Sequence, residues 1–294
     1  MLQSLGALEL FRLAFMTLLK NFFPRKWGSD RAFISVIIPA HNEEEFLPAT
    51  LQALNRQTFR DFETIVVTNG CTDRTADVVR GKCDHLYELE ERGLGPARNL
   101  GAAKARGNLL MFLDADTILQ PDALQVITRT FKRRHSAGTL RGVPDQDKGA
   151  YKVIYFMKNF VHRTHAHHGS SGVILCWKDH FEAVGGFDNE LYLRENSDLM
   201  KKLRQFGAYK YIRATPAITS MRRYERTGTA DMVLLWLKVW VLSNFSDIRN
   251  QTYEGMAQSG QPGLTKMGQW LIDKIEKKRR DLRARPRNAP AGGW

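Results

Sequence analysis

Cysteine is scarce in this chain. Cys71, Cys83 and Cys176 are spread over 294 residues with no CxxC pair and no even set to bridge. A disulfide framework is thereby excluded, and the expected setting is a reducing, cytosolic one. Long uncharged apolar runs are lacking as well. The opening stretch MLQSLGALELFRLAFMTLLKNFF is interrupted by Glu9, Arg12 and Lys20, and no small-residue cleavage site follows it. Neither a secretory signal nor a spanning helix of about 20 nearly uncharged residues is expected there. The pattern predicts instead an amphipathic helix within 1–30, able to lie in a lipid interface or to pack on a domain. A second apolar stretch, DMVLLWLKVWVLSNF at 231–245, carries Lys238 and two tryptophans. It is too short to span, and its indole rings suit an interface.

Negative charge is in short supply too. The net charge of +13 points to an anionic partner. Nucleic acid is not the expected one, because no groove-reading helix or RNP-like aromatic pattern is present and the basic cluster KIEKKRRDLRARPR is terminal. Residues 273–294 read as a solvated basic tail. Both apolar stretches, with that tail beside the second, favour peripheral contact with the anionic cytoplasmic face of a membrane. A homo-oligomer built on the same stretches is left open.

What is present is a regular alternation. FISVIIPA (33–40) reads as a strand, followed after HNEE by FLPATLQALNRQ with apolar residues at helical spacing. FETIVVTNG (62–70), DHLYELE and LLMFLD read as further strands, separated by the helices CTDRTADVVRGK and GLGPARNLGAAKARG. Four strand–helix alternations in about 80 residues imply βαβ units, hence an α/β fold with a mainly parallel central sheet and helices on both faces. Ligands on such sheets sit at the carboxyl ends of the strands, so the loops after 39, 67, 89 and 113 are the ones to inspect.

LLMFL is apolar on both faces, as a central parallel strand is, and it delivers Asp114 and Asp116 to that crevice. Residues i and i+2 point the same way in extended geometry, so both carboxylates can reach one cation. Oxygen-only ligation suits Mg²⁺ or Mn²⁺, with phosphate oxygens completing the shell. An acidic pair at a strand end is equally what a turn or helix cap uses.

The succession SVIIPAHNEE, IVVTNGCTDRT, RGLGPARNLGAAKARGNLLMFLDADT and VGGFDNELYLRENSDLMKKLRQFGAY resembles the family 2 glycosyltransferases of the GT-A fold over about residues 33–225. The resemblance implies a nucleotide-sugar-binding half at 31–120 and an acceptor half at 121–225, while the apolar residues beyond it read as a helical, membrane-interfacial segment at 226–272. It implies a metal-dependent, inverting transfer from a nucleoside-diphosphate sugar to a lipid-phosphate or saccharide acceptor. Pro39, Ala40, His41 and Glu43 would line the nucleoside pocket, with Glu43 on the ribose hydroxyls. Arg98 and Asn99 would lie near the diphosphate, and Asp114, Ala115 and Asp116 would form the metal-binding stretch. The family's acid after the second strand is missing, which leaves Asn69 as the candidate for reading the base. At the usual base position stands Asn196, an amide that takes no proton. Glu195 or Asp198 is then the candidate base, a phosphate acceptor would need little base help, and a non-catalytic nucleotide-sugar binder is the alternative. Arg222 and Arg223, and His168 among the cluster His162, His165, His167 and His168, are candidates for holding a phosphate or the acceptor. No Cys or patterned carboxylate completes a zinc site there.

Overall fold

A computed structural model describes residues 33–163, 170–191 and 194–229. The expected helix within 1–30, the 231–245 stretch, the basic tail, and His165, His167 and His168 lie outside these residues.

The described residues form one eight-stranded sheet in the order β3-β2-β1-β4-β7-β6-β8-β5. Its first half is the expected parallel unit: β1 (Ile34–Ala40) lies between β2 (Phe62–Asn69) and β4 (Leu109–Leu113), with β3 (His85–Leu89) at the edge. Every residue of β1 and β4 is buried, the signature of a strand covered on both faces. Ile37, Ile65, Val67, Leu110 and Phe112 pack with helix α3 (Leu94–Lys104) in one core cluster. Gly101 of α3 lies so close to Ile37 that a Cβ would collide with it. The alternate residues Val36, Ile38, Val66, Met111 and Leu113 are equally buried, as are Leu47, Leu51 and Leu54 of α1 (Leu47–Asn55) and Leu124 and Ile127 of α4 (Ala123–Thr130). Truncating any one of these large side chains to Ala would cost about 2–5 kcal/mol.

The second half is mixed. β7 (Val173–Trp177) runs antiparallel to both β4 and β6 (His135–Pro144), β8 (Ala208–Thr219) runs parallel to β6, and β5 (Thr117–Leu119) closes the edge antiparallel to β8. Helix α5 (Gly149–Arg163) packs on β6, α6 (Lys178–Ala183) follows β7, and α7 (Glu195–Leu203) adds Leu199, Met200 and Leu203 to the core cluster. Helix α8 (Arg222–Thr227) follows β8.

Two elements differ from the sequence expectation. The helix expected over CTDRTADVVRGK is only α2, Thr75–Val79, because Asp73 accepts from the Thr75 backbone and hydroxyl and ends the loop there. The residues after the acidic pair, where a turn or helix cap was the other reading, instead open β5 at Thr117. A buried acid, Glu63, ties the amino-terminal end of the sheet. It accepts from the Ser35 hydroxyl at 2.6 Å and from the Arg106 backbone and side chain at 2.6 and 2.8 Å. Burial alone would raise Glu63, but these hydrogen bonds more than offset it and leave its carboxyl below the usual range.

Candidate active site

At the opposite, carboxyl end of β1, β2 and β4 the acids gather. The loop after β1 turns at Asn42, which sits in the left-handed region at φ 54°. Its side chain accepts from the Thr72 backbone at 2.8 Å, so the loops after β1 and β2 interlock. The backbone N–H of Glu43 donates to the Thr75 hydroxyl at 2.7 Å and that of Glu44 to Asp73 at 3.2 Å, which fixes where the Glu43 side chain leaves the chain. His41 Nδ1 donates to the Asn69 carbonyl at 2.7 Å. A carbonyl only accepts, so Nδ1 carries a proton.

The sequence offered Asn69 as a reader of the base. In the structure it is buried, its Nδ2 donates to the Ala40 carbonyl at 2.9 Å and its Oδ1 accepts from the Gly93 N–H at 3.1 Å. These bonds tie β1, β2 and the start of α3 together. A cavity of about 410 Å³ opens beside Gly93, lined by Leu89, Glu90, Glu91, Arg92, Pro96 and Asn189.

Two arginines organise the acids. Arg98, 2% exposed, comes from α3 and donates to Asp114 at 3.1 Å and to the Asn196 side-chain Oδ1 at 2.6 Å, and lies 3.5 Å from Glu195. Its guanidinium stands 5.0 Å over the Phe187 ring. Arg98 thus braces Asp114 and Glu195, while its Nε is buried without a hydrogen-bond partner. Asn196, whose Nδ2 donates to the Ser170 hydroxyl at 2.9 Å, is part of the same brace. Arg222 comes from α8 on the other side. It pairs with Glu43 in a very short contact, lies 3.4 Å from Asp116, and stacks 4.2 Å over the Phe46 ring. Asp114 and Asp116 thus do not share one partner but are drawn toward opposite arginines.

Backbone contacts hold the acidic turn. Asp114 N–H donates to the Gly172 carbonyl at 2.9 Å, the Thr50 hydroxyl donates to the Ala115 carbonyl at 2.7 Å, and Ser220 N–H donates to the Asp116 carbonyl at 3.3 Å. Ala115 itself is buried. Burial, then the Asp114 charge, push the Asp116 carboxyl up to about 6 against the pull of Arg222. Burial also raises Glu43, despite its bond to Arg222, and Glu195, despite the nearby Arg98. The Glu43 Oε2 atom is buried without a hydrogen-bond partner, a lone pair still to be satisfied. Asp198 sits in the first turn of α7 and pairs with Lys202 at 2.6 Å, as an i, i+4 helix pair does.

Among the described residues no three His, Cys, Asp or Glu side chains come close enough to hold a metal by themselves. The donor set nevertheless fits Mg²⁺ or Mn²⁺ as an open two-carboxylate site. Asp114 and Asp116 offer only oxygen, and the repulsion by Asp114, which adds to burial in raising Asp116, is what a divalent cation removes.

Arg223 is exposed, and its charge acts on Glu43, Asp116 and Glu195. The sequence reading missed Lys158, on α5. Its ammonium lies 4.8 Å over Tyr155 and 5.7 Å over Tyr224, and burial together with Arg223 pushes it down to about 7 against the pull of Asp114. The available signal was its place four residues before the noted His162 on one helix. His162 is buried against Tyr211, with ring centroids 6.4 Å apart.

Residues 35–185 match the model of the family described as glycosyl transferase family 2. Similar curated proteins include the putative glycosyltransferase EpsH of Bacillus subtilis, 31% identical over 33% of this chain and 30% of its own length. Another is the 4,4'-diaponeurosporenoate glycosyltransferase of Staphylococcus haemolyticus, 33% identical over 47% of this chain and 37% of its own. The matched part is about a third of each relative. Among solved structures, the mannosyltransferase PcManGT of Pyrobaculum calidifontis, in complex with GDP-Man and Mn²⁺, superposes with TM-score 0.60 at 16% identity, covering 95% of this chain and 84% of its own. S. aureus TarS 1–349 in complex with UDP-GlcNAc gives 0.53 at 17%, covering 76% and 69%. These likenesses carry the fold, the GT-A architecture that the sequence motifs implied. On the family match over half its length, the chain belongs to glycosyl transferase family 2.

Proposed function

We propose that the chain moves a sugar from a nucleoside-diphosphate sugar to an acceptor hydroxyl or phosphate, with inversion at the anomeric carbon. The observation that carries this is the convergence of Glu43, Asp114 and Asp116 on one arginine-braced turn at the carboxyl end of the sheet, with Glu195 joined to it through Arg98. The neighbours' ligands, GDP-Man with Mn²⁺ in one and UDP-GlcNAc in the other, support a donor of this class.

Glu43 would accept from the ribose hydroxyls through Oε2, the buried oxygen that lacks a partner. The nucleobase would lodge beside the His41 loop and Gly93, where the cavity opens. Arg222, Arg223 and Lys158 would face the diphosphate from the acceptor side, with Arg98 on the other side of the two acids. Asp114 and Asp116 would hold Mg²⁺ or Mn²⁺, which when bound neutralises charge on the departing diphosphate. The acceptor oxygen attacks the anomeric carbon, the bond from that carbon to the diphosphate oxygen breaks, and its electron pair leaves with the nucleoside diphosphate. For a hydroxyl acceptor the proton passes to Glu195. Burial raises the proton affinity of Glu195, as a base working near neutral pH requires, while Arg98 keeps it oriented. Asp198 is less suited, because Lys202 already neutralises it. A lipid-phosphate acceptor arrives ionised and would make Glu195 dispensable.

Turnover of labelled UDP-GlcNAc and GDP-mannose by the full chain, with and without Mn²⁺, tests this. Donor binding without hydrolysis or transfer to any acceptor would favour the non-catalytic binder. Absence of binding to any nucleotide sugar would refute both.

A further inference from the structure

Arg222 neutralises the acidic turn by direct contact. Its guanidinium pairs with Glu43 in a very short contact, lies 3.4 Å from Asp116 Oδ2, and rests 4.2 Å over the Phe46 ring. Glu43 is the acid proposed for the ribose, and Asp116 is half of the pair proposed for the cation. One side chain thus engages both parts of the proposed donor site. The contacts are well shielded from water, with the side chains of Arg222, Glu43 and Asp116 exposed by 22, 14 and 19%. Breaking ion pairs so shielded is unfavourable unless each charge finds a new partner.

The backbone of Arg222 is fixed independently of these contacts. The Met221 N–H donates to Asp145 at 3.0 Å, the Arg222 N–H to the Ser220 hydroxyl at 3.3 Å, and the Ser220 N–H to the Asp116 carbonyl at 3.3 Å. A change of partner is therefore confined to the side chain, which can turn about the Phe46 ring. A divalent cation on the Asp116 carboxylate and a guanidinium 3.4 Å from it are like charges competing for one anion. The arginine must yield for the cation to bind, and in yielding it leaves two carboxylates behind. A diphosphate offers it an exit, because phosphate oxygens accept two parallel guanidinium N–H bonds. Arg223 differs. It is exposed and acts on the same acids through its charge, with no ion pair among the described residues.

We propose that Arg222 is a displaceable counter-ion that couples metal binding to donor binding: it holds Glu43 and Asp116 until a diphosphate draws it away, so the cation binds with the nucleotide rather than before it. The inference rests on the reading of Asp114 and Asp116 as the metal pair. Mn²⁺ binding to the full chain is followed by the paramagnetic resonance of the free ion, and GDP and UDP binding by calorimetry with and without Mn²⁺. In the parent, the nucleotide that binds should do so at least tenfold tighter with Mn²⁺, a coupling that linkage makes reciprocal. Arg222→Gln should take Mn²⁺ alone at least tenfold more tightly and lose most of the coupling. Arg223→Gln, which removes an equal charge, should shift Mn²⁺ affinity by less than threefold. Phe46→Leu keeps every charge but removes the ring under the guanidinium, and should tighten Mn²⁺ about threefold, as loss of a cation–π contact does. Equal Mn²⁺ affinity in parent and Arg222→Gln, or an equal rise in Arg223→Gln, would overturn the proposal, while coupling in the parent would leave the role of the acids standing. A parent that takes Mn²⁺ equally well with and without nucleotide would overturn it too. If Arg222→Gln does not fold, Phe46→Leu decides, and an unchanged affinity there counts against the counter-ion. Mn²⁺ that never binds, with or without nucleotide, would refute the metal pair as well.

Discussion

Asp116→Asn is expected to make the metal-free protein more stable while abolishing transfer. The Asp116 carboxyl is raised from 3.8 to about 6 by burial and by the neighbouring Asp114. Ionising it in the folded state therefore costs about 3 kcal/mol relative to the unfolded chain, at about 1.4 kcal/mol for each tenfold in proton affinity. The side chain is only 19% exposed, so solvent relieves little of this. The sign follows from linkage: the folded affinity is above the unfolded one, so the acid destabilises as pH rises from about 4 to about 6, and the full cost persists above that. The amide carries no such cost, and its carbonyl still accepts from Arg222. At about 2 °C per kcal/mol for a domain of this size, the variant should melt about 6 °C above the parent at pH 7.5 in chelator. The gap should close as pH falls from 6 to 4. A variant less stable than the parent at pH 7.5, or a gap that does not change with pH, would refute the repulsion on which the acidic turn is reasoned.

Glu195→Gln should lower transfer to a hydroxyl acceptor by about 10²–10⁴-fold with donor affinity unchanged; unchanged turnover with a phosphate acceptor would identify that acceptor class instead. Arg98→Met should strand Glu195 and Asp114 and cost about 3 kcal/mol or more, read as a fall in melting temperature, because the guanidinium is buried. If it melts like the parent, the brace is not structural. Glu63→Gln should destabilise by about 1–3 kcal/mol at neutral pH. Because its folded proton affinity is depressed, the stability that Glu63 contributes is present above the unfolded value of 4.5 and is lost as pH falls through the lower folded one. The deficit of Glu63→Gln relative to the parent should therefore shrink in acid, and a deficit constant down to pH 3 would contradict the assignment.

The parts readable in the sequence are those set by local pattern. β1 and β4 declare themselves as continuous apolar runs, and the acids at 114 and 116 follow from where the second run stops. What stayed hidden depends on partners far along the chain. Arg98 sits in a stretch that resembles a phosphate site, and two of the partners it has in the structure, Asn196 and Glu195, lie nearly a hundred residues away. Asn69 stands where the resemblance expects the residue that reads the base, and the bonds of its amide to Ala40 and Gly93 could not be read from the second strand alone. The antiparallel insertion of β7 between β4 and β6 cannot be read from either strand, since each is simply apolar. Arg222, named as a candidate for holding a phosphate or the acceptor, acquires its place only through Phe46 and Glu43 on the far side of the site.

The most direct test is anomalous diffraction at the manganese edge from crystals grown with Mn²⁺ and a nucleoside diphosphate. A peak between the Asp114 and Asp116 carboxylates, continuous with diphosphate density under Arg222 and Arg223, is the expected result. Ordered nucleotide with no peak at that turn, or a peak seated elsewhere, would contradict the reading of these two acids.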